Sequence, residues 1–297
     1  MQAIWMILAS AFFATMGVCI KFASSHFNGA EILFYRGAFG VIFMAAYAHA
    51  RGTSLRTAYP AMHAWRSVIG VTSMAAWFYA ISNLPLPTAM TLNYMSSIWI
   101  AAFLVGGAMV MGKGMPRQGP LVLAILTSFV GVILLLRPAI AQNQAFPALI
   151  GLLSGFVSAF AYMQLMTMAR IGEPETRTVF YFACGTTVAG LFGMAGLGVS
   201  SWSWPSGLWL LPLGLMAALG QLCLTKAYSI AAHRGGTLMV ANLQYSGVVF
   251  AALYGVLLFG DNIPLSGWAG MALIIVSAIA ATVLRTRTAP NAPAEEH

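Results

Sequence analysis

Ten runs of about twenty mainly apolar residues follow one another along this chain, with only short polar or Pro/Gly-rich breaks between them. A run of that length, coiled as a helix, matches the hydrocarbon thickness of a bilayer. The runs fall at 3–22, 30–49, 64–83, 87–111, 120–137, 148–169, 178–198, 207–229, 237–259 and 267–285. Charged residues make up only 7% of the chain, against about 25% in an ordinary soluble domain. The expected fold class is therefore an all-α polytopic membrane protein with ten transmembrane helices. The tail, residues 288–297, has the Pro, Ala and Glu composition of a disordered end. The N-terminal run resembles a signal peptide, but no Lys or Arg precedes it, and it is read as a first span that is kept.

The 14 Lys and Arg against 6 Asp and Glu are scattered singly or in pairs, so the clustered phosphate-facing patch that nucleic acid requires is missing and no nucleic-acid partner is expected. Their distribution does orient the chain. With a cytoplasmic N-terminus, the cytoplasmic breaks hold Arg51, Arg56, Lys113, Arg117, Arg170, Arg177, Arg234, Arg285 and Arg287, while the opposite breaks hold only Lys21 and Arg137. By the positive-inside rule both termini are cytoplasmic, and the expected location is the inner membrane of a bacterium. Cys19, Cys184 and Cys223 stand alone in apolar stretches and read as reduced core fillers.

The chain also repeats itself. Gly112, Pro116 and Gly119 recur as Gly260, Pro264 and Gly267 at an offset of 148 residues, Ser96 and Ala101-Ala102 as Ser246 and Ala251-Ala252 at 150, and Phe34-Tyr35 as Phe180-Tyr181 at 146. Chance in a Gly- and Ala-rich sequence is the alternative. Duplication divides the chain into a first five-helix repeat, 1–138, and a second, 148–287. Five spans is an odd number, so the second copy enters the membrane inverted, as in many secondary transporters.

Ten spans in a five-plus-five arrangement, short loops, and the Gly-x-x-x-Pro-x-x-Gly hinge after the fourth and ninth spans resemble the EamA-type members of the drug/metabolite transporter superfamily. Within it, the chain looks most like the YddG-type bacterial exporters of aromatic amino acids. The likeness runs from residue 1 to about 287. Many members have an acidic residue after the first glycine of each hinge; Asp261 keeps that character and Lys113 does not. Many also carry a proline midway along the fourth and ninth helices, where this chain has Ser96-Ser97 and Ser246-Gly247.

Catalytic motifs and metal-ligand spacings are absent from the sequence, so no enzyme activity, cofactor or metal is expected. Polar residues inside spans are the better guide, since each must face protein or a wet cavity rather than lipid. The fifth and tenth spans have almost none and read as scaffold, lipid edge or dimer surface, which leaves the chain a monomer or homodimer. The third, fourth, sixth, eighth and ninth carry amides, phenols and indoles and are expected to line a cavity. Ser73, Trp77 and Ile81 share a helical face, as do Ser154, Ser158 and Tyr162, and Gln221, Thr225 and Tyr228. The expected substrate-binding residues are Ser73, Trp77, Asn93, Tyr94, Ser158, Tyr162, Gln221, Asn242 and Tyr245. Interhelical hydrogen bonding is the competing explanation for each. Arg36, five residues after Glu31, reads as paired with carbonyls or a neighbouring helix, and Lys226 as a structural cation at a helix end.

The resulting expectation is a secondary transporter that exports small amphipathic metabolites, aromatic and other apolar amino acids above all, through a central alternating-access cavity. An exporter of organic cations or drugs, and a membrane structural subunit without transport, are the alternatives. No carboxylate or histidine is placed at mid-depth to relay a proton, and apart from Pro205 and Pro212 the sequence shows no sign of a broken helix for sodium. Facilitated diffusion is the expected driving mode.

Overall fold

A computed structural model describes residues 2–110, 119–141, 143–234 and 236–288. The body of the first Gly/Pro hinge and the C-terminal tail lie outside the described residues. What is described is helical, without a strand among the described residues. The first three spans are α1 (Gln2–Ala23), α2 (Gly29–Ala50) and α3 (Pro60–Asn83). The fourth is α4 (Leu86–Tyr94) followed by α5 (Ser96–Val110), and the fifth is α6 (Gly119–Ala141). The sixth and seventh are α7 (Ala145–Arg170) and α8 (Glu175–Leu197), and a short α9 (Trp204–Gly207) leads into α10 (Leu210–Arg234) as the eighth. The ninth is α11 (Thr237–Leu243), α12 (Ser246–Tyr254) and a π-helical turn, Gly255–Phe259; α13 (Leu265–Thr288) is the tenth. The protein is an all-helical, polytopic membrane protein. Six stretches meet the length and hydropathy of a span outright: Gln2–Ala23, Gly29–Ala50, Ala145–Arg170, Glu175–Leu197, Trp204–His233 and Thr237–Phe259. α3 is as long but less apolar, because one of its faces is polar.

Helix ends follow local chemistry. Asn28 caps α2: its side chain accepts from the amides of Ala30 and Glu31, while the Glu31 carboxylate accepts from the Asn28 amide, a capping box. Pro60 opens α3 at a position whose amide has no helical partner anyway. Gly198 and Gly260 end α8 and the π-helical turn with φ of 81° and 61°, values that glycine tolerates without strain.

Two breaks correct the sequence reading. The fourth span is interrupted at Met95 and the ninth at Gln244-Tyr245, both partway along the span and neither marked by proline. Serine takes the place of the missing proline. Ser97 Oγ lies 3.1 Å from the Tyr94 carbonyl oxygen, and Ser246 Oγ donates to the Leu243 carbonyl at 2.7 Å. A hydroxyl that takes a backbone carbonyl in this way competes with the helical amide. Around the second break the amides of Tyr245, Gly247 and Val248 bond three residues back, a 3₁₀-like tightening.

Packing is reciprocal between the two halves. α1 lies along α10 and α3 along α7, α2 faces α8, and α6 faces α13. Water does not drive helices together inside lipid, so close backbone approach matters most. A side-chain carbon on Gly37 would stand 2.5 Å from the Thr187 amide nitrogen, and one on Gly193 2.7 Å from Ala30 Cβ; these glycines set the α2–α8 spacing. Gly131 and Gly270 do the same between α6 and α13.

At one end of the bundle the segment before α3 is tied to the turn between α7 and α8. Glu173 accepts from Thr57 Oγ1 at 2.9 Å and Arg177 NH1 at 3.1 Å, and lies 2.9 Å from His63 Nε2. Burial alone would raise the Glu173 carboxyl; the hydrogen bonds from His63 and Thr57 and the Arg177 charge outweigh it and hold the group below its ordinary value. A lowered carboxylate pKa contributes stability above the unfolded value of about 4.3, which is lost as pH falls through the folded one. Glu173→Gln is therefore expected to cost about 2 kcal/mol at neutral pH. In thermal melts in detergent, the gap between wild type and variant closes as the pH is lowered below 4. A gap independent of pH would mean the carboxylate charge contributes nothing.

Candidate functional site

The polar faces of α3, α4, α7 and α10 converge on a central cavity, completed by single residues from α1, α2 and α8. α7 contributes Ser158 and Tyr162 from the serine stripe that also holds Ser154; α3 contributes Gly70, Ser73, Met74 and Trp77. α4 presents Asn93 and Tyr94 at its last turn, immediately before the break. Gly155 explains how α4 comes so near: a side-chain carbon there would overlap the Leu92 carbonyl oxygen and stand 2.9 Å from that of Asn93.

Hydrogen bonds fix this wall. Asn93 Nδ2 donates to Ser154 Oγ at 3.0 Å and Ser158 Oγ at 3.2 Å. Ser73 Oγ donates to the Ser154 carbonyl at 2.9 Å and lies 2.5 Å from Ser158 Oγ. These contacts join α3, α4 and α7 through one buried network, in which each member supports the next. Aromatic rings form the rest of the wall. Phe13 meets Trp77 edge to face at 6.2 Å, and Tyr162 stacks on Tyr228 at 5.1 Å. Gln244 Nε2 donates to the Tyr228 hydroxyl at 2.7 Å, closing a layer one to two helical turns beyond Gln221.

Two guanidiniums also face this space, Arg36 from α2 and Arg66 from α3. They are 4% and 2% exposed, and both lie over the Phe182 ring, at 5.6 and 5.1 Å from its centroid. Arg66 NH1 donates to the Ala161 carbonyl at 3.1 Å. The Nε atoms of both arginines, Trp77 Nε1 and the Tyr94 hydroxyl have no hydrogen-bond partner among the described residues. Acidic side chains are missing from the lining. Glu31 bonds its own cap and Ser200, Glu173 belongs to the cluster described above, and Asp261 pairs with Lys21 at 3.0 Å and accepts from the Leu86 amide at 3.0 Å.

The cavity encloses about 60 Å³, room for a few waters but for no metabolite. The space is therefore narrow in the described conformation. Among the described residues no three His, Cys, Asp or Glu side chains group as a metal site would require.

Seven of the nine expected residues meet here: Ser73, Trp77, Asn93, Tyr94, Ser158, Tyr162 and Gln221. Asn242 and Tyr245 do not. Asn242 Nδ2 donates to the Ala278 carbonyl of α13 at 2.5 Å. Tyr245 stands behind Tyr94, edge to face at 6.2 Å, with its hydroxyl 3.1 Å from Ser97 Oγ. The ninth span thus backs the lining instead of forming it. Arg36 meets the neighbouring helix α8 through the Phe182 ring, as one half of the expectation had it, but it also faces the cavity and no carbonyl is bonded to it among the described residues; Arg66 was not anticipated at all. Lys226 is not at a helix end as expected, because α10 runs on to Arg234; its ammonium lies 4.4 Å over the Trp5 ring.

Comparison with known proteins gives one coherent answer. Residues 1–106 match the model of the EamA-like transporter family. The pseudopaline exporter of Pseudomonas aeruginosa is 30% identical over 274 residues, 92% of this chain and 93% of that protein. A riboflavin transporter of Vibrio cholerae is 26% identical over 96% of this chain and 94% of that protein, and an S-adenosylmethionine uptake transporter of Rickettsia felis 22% over 91% and 88%. A solved crystal structure superposes with a TM-score of 0.66 at 19% identity, over 95% of this chain and 98% of that one, and so shares the fold. Membrane transport of small metabolites is common to these named relatives, and the chain belongs to the EamA-like transporter family of the drug/metabolite transporter superfamily.

Proposed function

We propose that this protein exports small amphipathic metabolites, amino acids with aromatic or other apolar side chains among them, across the bacterial inner membrane. The observation that carries this reading is the cavity wall, where Trp77, Tyr162 and Phe182 supply flat apolar faces and Asn93, Ser73, Ser158 and Gln221 supply hydrogen-bonding groups. The relatives are named for export and for uptake of different cargoes, so direction and cargo rest on this chain's own residues. Two buried cations in the lining favour this reading over an exporter of organic cations. Residues 1–138 and 148–287 act as inverted repeats, with both termini cytoplasmic; the reciprocal packing of α1 on α10 and α3 on α7 supports that division. Flux follows the substrate's own gradient by alternating access around the cavity.

Proteoliposome flux against a panel of amino acids, sugars and organic cations tests the reading. Asn93→Leu keeps bulk but removes the amide that joins α4 to α7, and transport is expected to fall at least about tenfold, with expression and elution in detergent near normal. Wild-type flux in this variant would remove the cavity from the transport path.

A further inference from the structure

Arg36 and Arg66 are two fixed positive charges in one enclosed space, and a guanidinium cannot escape burial by losing its proton. Stacking on the face of Phe182 offsets part of that cost. It leaves both charges uncompensated, with an Nε–H of each unbonded among the described residues and without a carboxylate in the lining. Buried charges persist where a partner completes them. Here the space beside the charges is the cavity itself, so the partner arrives as a ligand.

We propose that the cavity is an organic-anion site whose substrate carries two carboxylates on an aromatic or apolar body, one carboxylate for Arg36 and one for Arg66. The proposal rests on reading the cavity as the transport site. A carboxylate matches the planar donor fork of arginine with two parallel hydrogen bonds. The body of the substrate lies against Phe182, on which both arginines stack, and Trp77, which shares the lining with them. A zwitterionic amino acid of the same body satisfies one arginine and leaves the other unmatched, so within the proposed cargo it binds more weakly than the dicarboxylate, and a cation is repelled outright. The charge also supplies a driving force. Each net negative charge carried outward gains from an inside-negative membrane potential, by a factor of about 50 in the equilibrium gradient for every 100 mV. Export then needs no coupled ion and no relay residue in the path.

Three probes share one aromatic body and differ in charge: phenylsuccinate, phenylalanine and phenethylammonium. With the purified protein in detergent, phenylsuccinate is expected to give the largest rise in melting temperature. In proteoliposomes an imposed inside-positive potential of about 100 mV is expected to draw phenylsuccinate inward to more than about ten times its external concentration. Arg36→Gln and Arg66→Gln each lose at least about tenfold in phenylsuccinate affinity, while the Lys variants at both positions keep part of it. If phenylalanine binds as well as phenylsuccinate and its flux ignores the potential, the proposal falls and the proposed function stands. If none of the three binds, both fall. Retention of phenylsuccinate binding in both Gln variants places the anion elsewhere and overturns the proposal. Should a variant fail to fold, the wild-type comparison of the three probes and the response to voltage decide the question alone.

Discussion

Alanine at Gly37 is expected to destabilise the protein by about 2–3 kcal/mol, while the same substitution at Gly196 is expected to be neutral or to stabilise by up to about 1 kcal/mol. Both glycines lie within helices, and both substitutions remove the same backbone freedom. The difference is what the new methyl meets. At Gly37 it stands 2.5 Å from the Thr187 amide nitrogen, a backbone atom of α8 that moves only if the helix moves; at Gly196 nothing lies within 4 Å. Thermal melts of the two variants, followed by size exclusion in detergent, make the comparison. Equal shifts would mean that the α2–α8 seam is not closely packed. Because Gly37 follows Arg36 directly, a displaced α2 also moves a guanidinium out of the cavity, and transport by Gly37→Ala should fall more than its stability alone explains.

Asp261→Asn is expected to loosen one end of the bundle. Asp261 joins three elements: it pairs with Lys21 at the end of α1, accepts from the first amide of α4, and stands in the hinge that follows the π-helical turn. Lys21 also lies 4.5 Å over the Phe259 ring, and Phe22 stacks on Trp209 at 4.5 Å beside it. The ion pair is mostly buried, with side-chain exposures of 20% and 10%, so asparagine leaves a poorly hydrated ammonium without its counter-charge, and its one remaining acceptor serves either Lys21 or the Leu86 amide. A cost of about 2 kcal/mol raises the population of locally opened forms of this end about thirtyfold. Hydrogen exchange at the amides of Leu86 and its neighbours should accelerate by about that factor, while Asp261→Glu, which keeps both the charge and the acceptor, should keep most of the protection. Unchanged protection in Asp261→Asn would show that the pair closes nothing.

Much of this was readable from sequence because bilayer thickness and helix rise leave little choice in where spans begin and end. The wall of the cavity was readable for a related reason. Asn93, Tyr94, Tyr162 and Gln221 sit at depths where lipid offers no hydrogen bond, so their type alone placed them against protein or water. Asn242 met the same criterion and found its partner in the Ala278 carbonyl, a choice that depends on which way the helix is turned and that one-dimensional spacing does not encode. Arg66 escaped notice because α3 begins at Pro60 and not at residue 64, which moves the guanidinium from the rim to almost two turns inside. Arg36 looked like a structural cation for want of any sign that its neighbours carry no counter-charge. The breaks at Met95 and Gln244-Tyr245 were hidden by the absence of proline, and the serine bonded to the carbonyl three residues back at each is no sequence signal, since Ser154 makes the same bond inside the unbroken α7.

Those two interruptions divide the central spans by depth. α4 packs on α12 on one side of the breaks, and α5 packs on α11 on the other. Each half of these spans therefore contains its own pair of short helices, joined to the other pair directly through a residue or two at mid-span and indirectly through α7 and α1, on which both halves pack. Opening one mouth by tilting one pair need not carry the other with it. The two barriers of a transport cycle then become separately adjustable quantities, and substitutions confined to one side of the breaks can change the rate of loading while leaving the rate of release as it was.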